Sequence, residues 1–144
     1  MEKYRVTVND VAPAGAAKSE AGFTNIDLRM LITDKTVGSK KLSLFRAIFP
    51  AGFAAHKKHV HMGIEEILFA IRGSGVVGFE MEDGKIEEHE ISPRVAVLIP
   101  KDAVHWLRNL EEFEVLVFYS VPDAGDFKPE DYKYIGEIPQ KEKD

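Results

Sequence analysis

The chain has 144 residues, of which 44% are hydrophobic and 30% charged, and this composition is typical of one soluble globular domain. Its formal net charge of −5 argues against a nucleic-acid partner, because binding to a phosphate backbone needs clustered Lys and Arg. It has no cysteine, which excludes thiolate catalysis, disulfides and cysteine-ligated zinc.

The first residues have no apolar core of signal-peptide length, and no apolar run is long enough to span a membrane. We therefore expect a cytoplasmic protein without a membrane partner.

Composition divides the chain into three parts. Residues 1–24 mix Pro, Ala, Gly and Ser and predict an N-terminal arm, with at most one short strand at residues 4–8. Residues 25–122 consist of short apolar runs separated by turn residues and predict a β-barrel. Residues 123–144 are rich in Asp, Lys, Glu and Pro, and their interspersed aromatic residues predict a tail that packs in part on the barrel.

The barrel part contains many short strand-like runs and no sustained helical periodicity. Asp83-Gly84 lies between two of these runs and predicts a hairpin. Many short strands with regular turn signals indicate an all-β sandwich or barrel. The predicted strands span residues 26–32, 42–49, 76–81, 85–91, 95–99 and 114–121.

The run that begins at Glu66 is apolar on both faces. Glu66, Leu68 and Ala70 share one face of a strand, and the alternate positions 67, 69 and 71 are also apolar. An antiparallel strand that faced water would carry polar residues there. The arm, the tail or a second subunit must cover that face, and we predict a homodimer.

Metal-ligand side chains precede this run. His59 and His61 are two residues apart and share a strand face, and Glu66 follows after a short loop that contains Gly63. Two imidazoles and a carboxylate on one concave face are suitable ligands for a first-row metal ion. His105 follows the predicted strand at 95–99 and is a candidate fourth ligand. The alternative is that these side chains belong to the protein surface.

These residues follow the two motifs of the cupin superfamily, which the chain closely resembles. The first motif is a pair of histidines one residue apart, then a glutamate and a glycine, and it is matched by His59, His61, Glu66 and Gly73. Gly52 stands one residue farther upstream than the glycine that usually precedes these histidines. The resemblance covers about residues 40–122.

The second motif is matched in spacing by Pro100, His105 and Asn109, whereas Arg94 and Asp102 occupy positions at which glycines are usual. Asp102 can adopt the same positive-φ turn at modest cost. Arg94 predicts that the preceding turn is built differently.

The resemblance implies a double-stranded β-helix jelly roll that holds one divalent transition metal ion (Fe, Mn, Ni, Zn or Cu). The implied ligands are His59, His61, Glu66 and His105. It also implies that Asn109 supports its strand and does not bind the metal. Strand phase indicates that Glu65 and Trp106 point away from the metal.

Three further side chains are candidates for chemistry. His56 lies in the segment that leads to His59, where it could act as a base or remain exposed beside two lysines. Tyr119 could offer a hydroxyl to a ligand or be structural. These two are the candidate catalytic residues. Arg46 could bind a substrate carboxylate or phosphate if it faces the cavity, and an outward orientation is the alternative.

Family analogy favours an enzyme whose metal acts as a Lewis acid or activates O₂. The substrate class is a small polar organic molecule: a keto or hydroxy acid, an enol, a catechol or a sugar derivative. The reaction would be that of a dioxygenase, isomerase, decarboxylase or lyase. The alternatives are a non-catalytic cupin that binds a sugar or carboxylate, and a barrel in which the metal only stabilises the fold.

Overall fold

A computed structural model describes residues 2–14, 22–123 and 130–139. In these ranges the chain forms β-strands and one short 3-10 helix, Val8–Asp10. The strands are β1 (Phe23–Thr24), β2 (Asp27–Ile32), β3 (Ser43–Phe49), β4 (Ala55–His61), β5 (Glu66–Arg72), β6 (Gly75–Glu80), β7 (Ile86–Ile91), β8 (Ala96–Ile99), β9 (Val104–Asn109), β10 (Phe113–Tyr119) and β11 (Tyr132–Gly136). The predicted all-β class is confirmed.

The strands form two antiparallel sheets. The six-stranded sheet has the order β1-β4-β9-β6-β7, and β11 also pairs with β4. The five-stranded sheet has the order β2-β3-β10-β5-β8. From β3 to β10 the chain changes sheet at every step except the β6–β7 hairpin, as it does in a jelly roll. The predicted fold class is therefore confirmed.

The core lies between the two sheets because the strands alternate between buried and more exposed positions. Along β3 every second residue from Ser43 to Phe49 is buried. Phe49 packs against Phe113 of β10 with ring centroids 5.6 Å apart. On β5, Glu66 and Leu68 face inward and Ile67 is exposed, as predicted.

The predicted hairpin at Asp83-Gly84 connects β6 and β7. Gly84 has a φ of +83°, and the Asp83 carboxylate accepts a hydrogen bond of 3.0 Å from the Lys85 N–H. The turn sets the register in which Glu80 lies opposite Ile86.

The chain on either side of the barrel adds strands to the six-stranded sheet. β1, from the predicted arm, and β11, from the predicted tail, both pair with β4. No strand forms at residues 4–8; instead Asp10 accepts a hydrogen bond of 2.8 Å from the Thr7 N–H, which caps the 3-10 turn. Other parts of the predicted arm and tail lie outside the described residues.

Within the described ranges, no helix has the length and apolar character needed to cross a membrane.

Candidate metal centre

Four buried polar side chains meet between the two sheets. His59 and His61 lie on β4, His105 lies directly opposite His59 on β9, and Glu66 begins β5 in the other sheet. None is more than 5% exposed. One ligand atom from each side chain lies within 4.8 Å of the others. The structure thus brings together the four residues that the sequence nominated.

The centre of this cluster contains unsatisfied polar atoms. His59 Nε2, His105 Nε2 and Glu66 Oε1 have no hydrogen-bond partner among the described residues. Glu66 Oε1 lies 3.5 Å from both His61 Nε2 and His105 Nε2. A buried polar atom without a partner costs about 1–3 kcal/mol, so this convergence is unfavourable unless a cation is shared between these atoms.

Backbone carbonyls orient two of the imidazoles. His59 Nδ1 lies 2.6 Å from the Lys57 carbonyl oxygen, and His105 Nδ1 lies 2.9 Å from the Ala103 carbonyl oxygen. A neutral imidazole that donates its Nδ1–H keeps a lone pair on Nε2. In both residues that lone pair belongs to the atom at the centre of the cluster, as a metal ligand requires.

Burial keeps the imidazoles of His59 and His61 neutral. It lowers the pKa of His61 to about 4, although the nearby Glu66 carboxylate acts in the opposite direction. Burial also lowers the pKa of His59 well below its usual value, and the neighbouring imidazoles of His56, His105 and His61 add to this effect. Both side chains are therefore available as ligands at neutral pH.

The donor set identifies the kind of ion. Three neutral imidazoles and one carboxylate suit Fe, Mn, Ni, Cu or Zn, whereas Mg²⁺ and Ca²⁺ prefer oxygen ligands. The four side chains make a binding site for one divalent transition metal ion.

The turns before β8 and β9 each contain a non-glycine residue with positive φ. Arg94 has a φ of +72° and Asp102 a φ of +65°. The prediction that Arg94 marks a differently built turn is therefore wrong, because Arg94 takes a left-handed conformation that a glycine would adopt more easily. The Asp102 carboxylate also accepts a hydrogen bond of 2.7 Å from the Gly63 N–H, which joins the loops before β5 and β9.

Asn109 supports the strand and lies away from the ligand atoms, as the resemblance implies. Its amide Nδ2 donates hydrogen bonds of 2.7 and 2.8 Å to the carbonyls of Pro50 and Gly52, and its Oδ1 accepts one of 2.9 Å from the Ala54 N–H. These bonds fix the segment that enters β4 against the end of β9.

The cavity beside the centre is small and mainly apolar. Its volume is about 30 Å³, and its apolar walls include Phe23, Leu28, Phe45, Phe49, Leu68 and Val117. Among the described residues its polar walls are His56, His59, Glu66, His105 and Tyr119. No lysine or arginine is among these lining residues.

Solved structures provide the comparison with known proteins, since no family model and no curated protein sequence matches the chain. Peruvianin-I, a cysteine peptidase from Thevetia peruviana latex, matches with a TM-score of 0.70 at 14% identity, over 94% of this chain and 79% of that chain. The oxalate decarboxylase of Lactobacillus farciminis, in its formate complex, matches with a TM-score of 0.66 at 20% identity, over 79% of this chain and 32% of that chain. A predicted oxalate decarboxylase from Thermotoga maritima matches with a TM-score of 0.66 at 19% identity, over 81% of this chain and 98% of that chain.

The chain has the cupin fold. At these identities the likeness establishes the fold alone. The chain spans about a third of the Lactobacillus farciminis protein that it matches. Since it contains no cysteine, it lacks the thiol that a cysteine peptidase requires.

A β-bulge in β4 brings His56 to the cavity of the cupin barrel. His56 lies opposite Leu107 and His59 lies opposite His105, so β4 has one residue more than β9 between these pairs. As a result His56 and His59 share a face although they are three residues apart, and their rings stack with centroids 3.4 Å apart. His56 is buried, so the alternative of an exposed histidine is wrong.

Tyr119 also lies at the cavity, near the end of β10. Its ring centroid is 5.1 Å from that of His61 and 5.2 Å from that of Phe45. Burial raises the pKa of Tyr119, and the Glu66 carboxylate raises it further. The hydroxyl is therefore protonated at neutral pH, and this makes it a donor and a poor base.

Arg46 does not reach the cavity. It lies on the outer face of β3, where its guanidinium is 3.7 Å from the Asp27 carboxylate and 3.5 Å from the Glu114 carboxylate. These acidic residues belong to the neighbouring strands β2 and β10. The outward orientation is correct, and the predicted contact with substrate is not supported by this position.

Glu65 and Trp106 point away from the metal ligands, as strand phase indicated. Glu65 is exposed beside the buried Glu66. Trp106 is fully buried opposite Gly78 of β6, where an added Cβ would overlap the indole.

Sequence reasoning missed two aromatic residues near the centre. Phe23 of β1 stacks on the other side of His56, with ring centroids 3.8 Å apart. Tyr132 of β11 lies with its ring centroid 5.2 Å from that of His61. Both residues come from segments assigned to the arm and tail, and no local pattern connects them with the histidine motif.

Proposed function

We propose that the protein is a metal-dependent enzyme that converts a small organic acid bound directly to the metal ion. The observation that supports this function is the position of a three-histidine, one-carboxylate site at the wall of a mainly apolar cavity. When bound, a divalent transition metal ion supplies Lewis-acid or redox chemistry at this place.

The surroundings of the site favour chemistry that depends little on protein acids and bases. Besides the metal ligands, His56 and Tyr119 are the titratable residues among the described cavity walls. The protonated Tyr119 hydroxyl can donate a hydrogen bond to an oxygen atom of the substrate, and the apolar walls exclude water from it. These features support a decarboxylation or an oxidation better than a reaction with several proton transfers.

The cavity also limits the substrate. A volume of about 30 Å³ is far below the roughly 300–1,000 Å³ of pockets that hold drug-sized ligands, so the space between the sheets favours a small substrate. Since no cationic side chain lines the described cavity, a substrate carboxylate that does not reach the metal ion would be buried without a partner. We therefore propose that monocarboxylic hydroxy or keto acids are better substrates than oxalate, which is named for several structural neighbours.

The experiment is a turnover assay of protein stripped of metal and reloaded with Fe(II), Mn(II), Ni(II) or Zn(II). CO₂ release and O₂ uptake are followed with glycolate, lactate, pyruvate and oxalate, and the H105A variant is the matched control. We expect metal-dependent turnover of at least one monocarboxylate that H105A lacks. Absence of turnover with every metal and acid would overturn the enzyme proposal.

Ligand binding without turnover is the second candidate function. The protonated state of Tyr119 favours it, because a site without an effective general base can bind an acid and leave it unchanged. In that case Mn(II)-loaded protein would show ligand-dependent changes in water-proton relaxation while the acid is recovered intact.

We also propose that the protein is a homodimer that buries the outer face of the five-stranded sheet. Ile67 and Ile71 of β5, Leu98 of β8 and Phe118 of β10 lie on this face and are 38–55% exposed. Ile67 lies beside Phe118 and Leu98 across paired strands, and such a patch is typical of a protein–protein contact. A second copy presents the same patch, so a twofold arrangement covers both at once.

A further inference from the structure

His56 is held between two other rings. Phe23 stacks on one side at 3.8 Å between ring centroids with an interplanar angle of 16°, and His59 stacks on the other at 3.4 Å and 17°. The three rings are thus nearly parallel. Since His59 is a metal ligand, the plane of its imidazole depends on the plane of His56.

Tyr132 fixes His56 at its edge. The Tyr132 hydroxyl and His56 Nε2 share a hydrogen bond of 2.8 Å. The Tyr132 hydroxyl can donate this hydrogen bond to the imidazole. Phe23 and His59 resist tilting of the His56 ring, and this hydrogen bond resists its rotation within that plane.

The backbone places Tyr132 at this point. In the β4–β11 pair, Tyr132 lies opposite His61 and Tyr134 lies opposite His59. Tyr132 is buried whereas Lys133 and Tyr134 are exposed. The strand therefore directs one of its two tyrosines to the metal centre and leaves the other at the surface.

Two constraints then act on His59. The hydrogen bond from Nδ1 to the Lys57 carbonyl holds one edge of the ring, and the stacked His56 holds its face. Together they determine the direction in which Nε2 points. Partners of this kind, which orient a ligand without touching the metal, change metal affinity about 10- to 100-fold when they are removed.

We propose that Tyr132 is a positioning residue for the metal site, which acts through its hydrogen bond to His56 and the stacking of His56 on His59. The C-terminal strand β11 therefore contributes to metal binding although it supplies no ligand. This proposal concerns metal binding alone and holds whether or not the protein is an enzyme.

The test measures Co(II) binding to the full chain by competition with a chelator, together with the visible absorption bands of the bound Co(II). Y132F removes the hydroxyl and keeps the ring beside His61, and H56F removes Nε2 and keeps a flat ring between Phe23 and His59. We expect each variant to bind Co(II) about 10-fold more weakly and to shift the absorption bands. The double variant should bind Co(II) about as weakly as each single variant, because both changes remove the same interaction.

Y134F is the matched control, since it removes a hydroxyl from an exposed tyrosine of the same strand. Its Co(II) affinity and spectrum should equal those of the wild type. The proposal is overturned if Y132F binds Co(II) like the wild type with unchanged bands, or if the losses of Y132F and H56F multiply in the double variant. It is also overturned if Y132F lowers the melting temperature of metal-free protein and leaves the Co(II) spectrum unchanged, as a purely structural tyrosine would.

Discussion

His59 and His105 lie directly opposite each other in the antiparallel β4–β9 pair, with ring centroids 4.1 Å apart. Residues that are distant in sequence thus become neighbours through strand register. We expect H105A to lower metal affinity by more than about 100-fold, because even the outer partners of a ligand contribute about 10- to 100-fold. The metal content of the dialysed protein, measured by inductively coupled plasma mass spectrometry, tests this expected loss of affinity. H89A removes an exposed histidine of β7 and should retain the metal, and full metal content in H105A would contradict the assignment.

The lowered pKa values of His59 and His61 make the stability of the metal-free protein depend on pH. An unfolded histidine titrates near 6.5, so between about pH 6.5 and pH 4 the unfolded chain binds protons that folded His61 does not. The contribution of neutral His61 to the free energy of unfolding is therefore fully present above pH 6.5. It decreases by roughly 3 kcal/mol as the pH falls to about 4.

Urea unfolding of metal-free protein at pH 7.0, 5.5 and 4.5 tests this pH dependence. Carboxylates also titrate at low pH, so H61N is the control that isolates the histidine. The free energy of unfolding of H61N should decrease less than that of the wild type over this range. Equal decreases in both proteins would show that His61 does not contribute.

The positive φ angles of Arg94 and Asp102 predict opposite effects of glycine. R94G should raise the free energy of unfolding by roughly 0.5–1 kcal/mol, since glycine removes the left-handed strain at some cost in chain entropy. D102G should lower it, because the hydrogen bond from the Gly63 N–H to the Asp102 carboxylate is lost. Urea unfolding of both variants provides the measurement, and destabilisation by R94G would contradict a strained turn.

The outer face of the five-stranded sheet predicts the effect of a charge at Leu98. L98E should convert a dimer into a monomer while metal binding is retained, because it places a carboxylate in the buried part of the interface. Light scattering coupled to size exclusion gives the mass. L110E, which changes an exposed leucine of the β9–β10 turn, should leave the dimer intact. A monomeric wild type at micromolar concentration would contradict the dimer proposal.

Strand alternation and motif spacing in the sequence were enough to nominate the four side chains that meet at the metal centre. They also predicted the inward face of β5 and the supporting role of Asn109. These features depend on neighbouring residues in one strand or on fixed spacing between two strands, and both are visible in a sequence.

Features that depend on irregular pairing were not visible. His56 and His59 should point in opposite directions on a regular strand, and only the bulge in β4 places them together. Tyr132 reaches the centre through a strand pairing that no local pattern indicates. The orientation of Arg46 remained open because a single charge in an apolar run can face either side until its partners, Asp27 and Glu114, are known.

The distribution of the ligands between the layers has a mechanical consequence. His59, His61 and His105 belong to the six-stranded sheet, and Glu66 belongs to the five-stranded sheet. An ion bound by all four side chains would therefore be a coordination cross-link between the two sheets. If the sheets moved apart to admit a molecule larger than the cavity, the contact between Glu66 and the ion would be strained first, because Glu66 is the single ligand from the five-stranded sheet. The same carboxylate thus links retention of the ion to the size of the molecule that can enter.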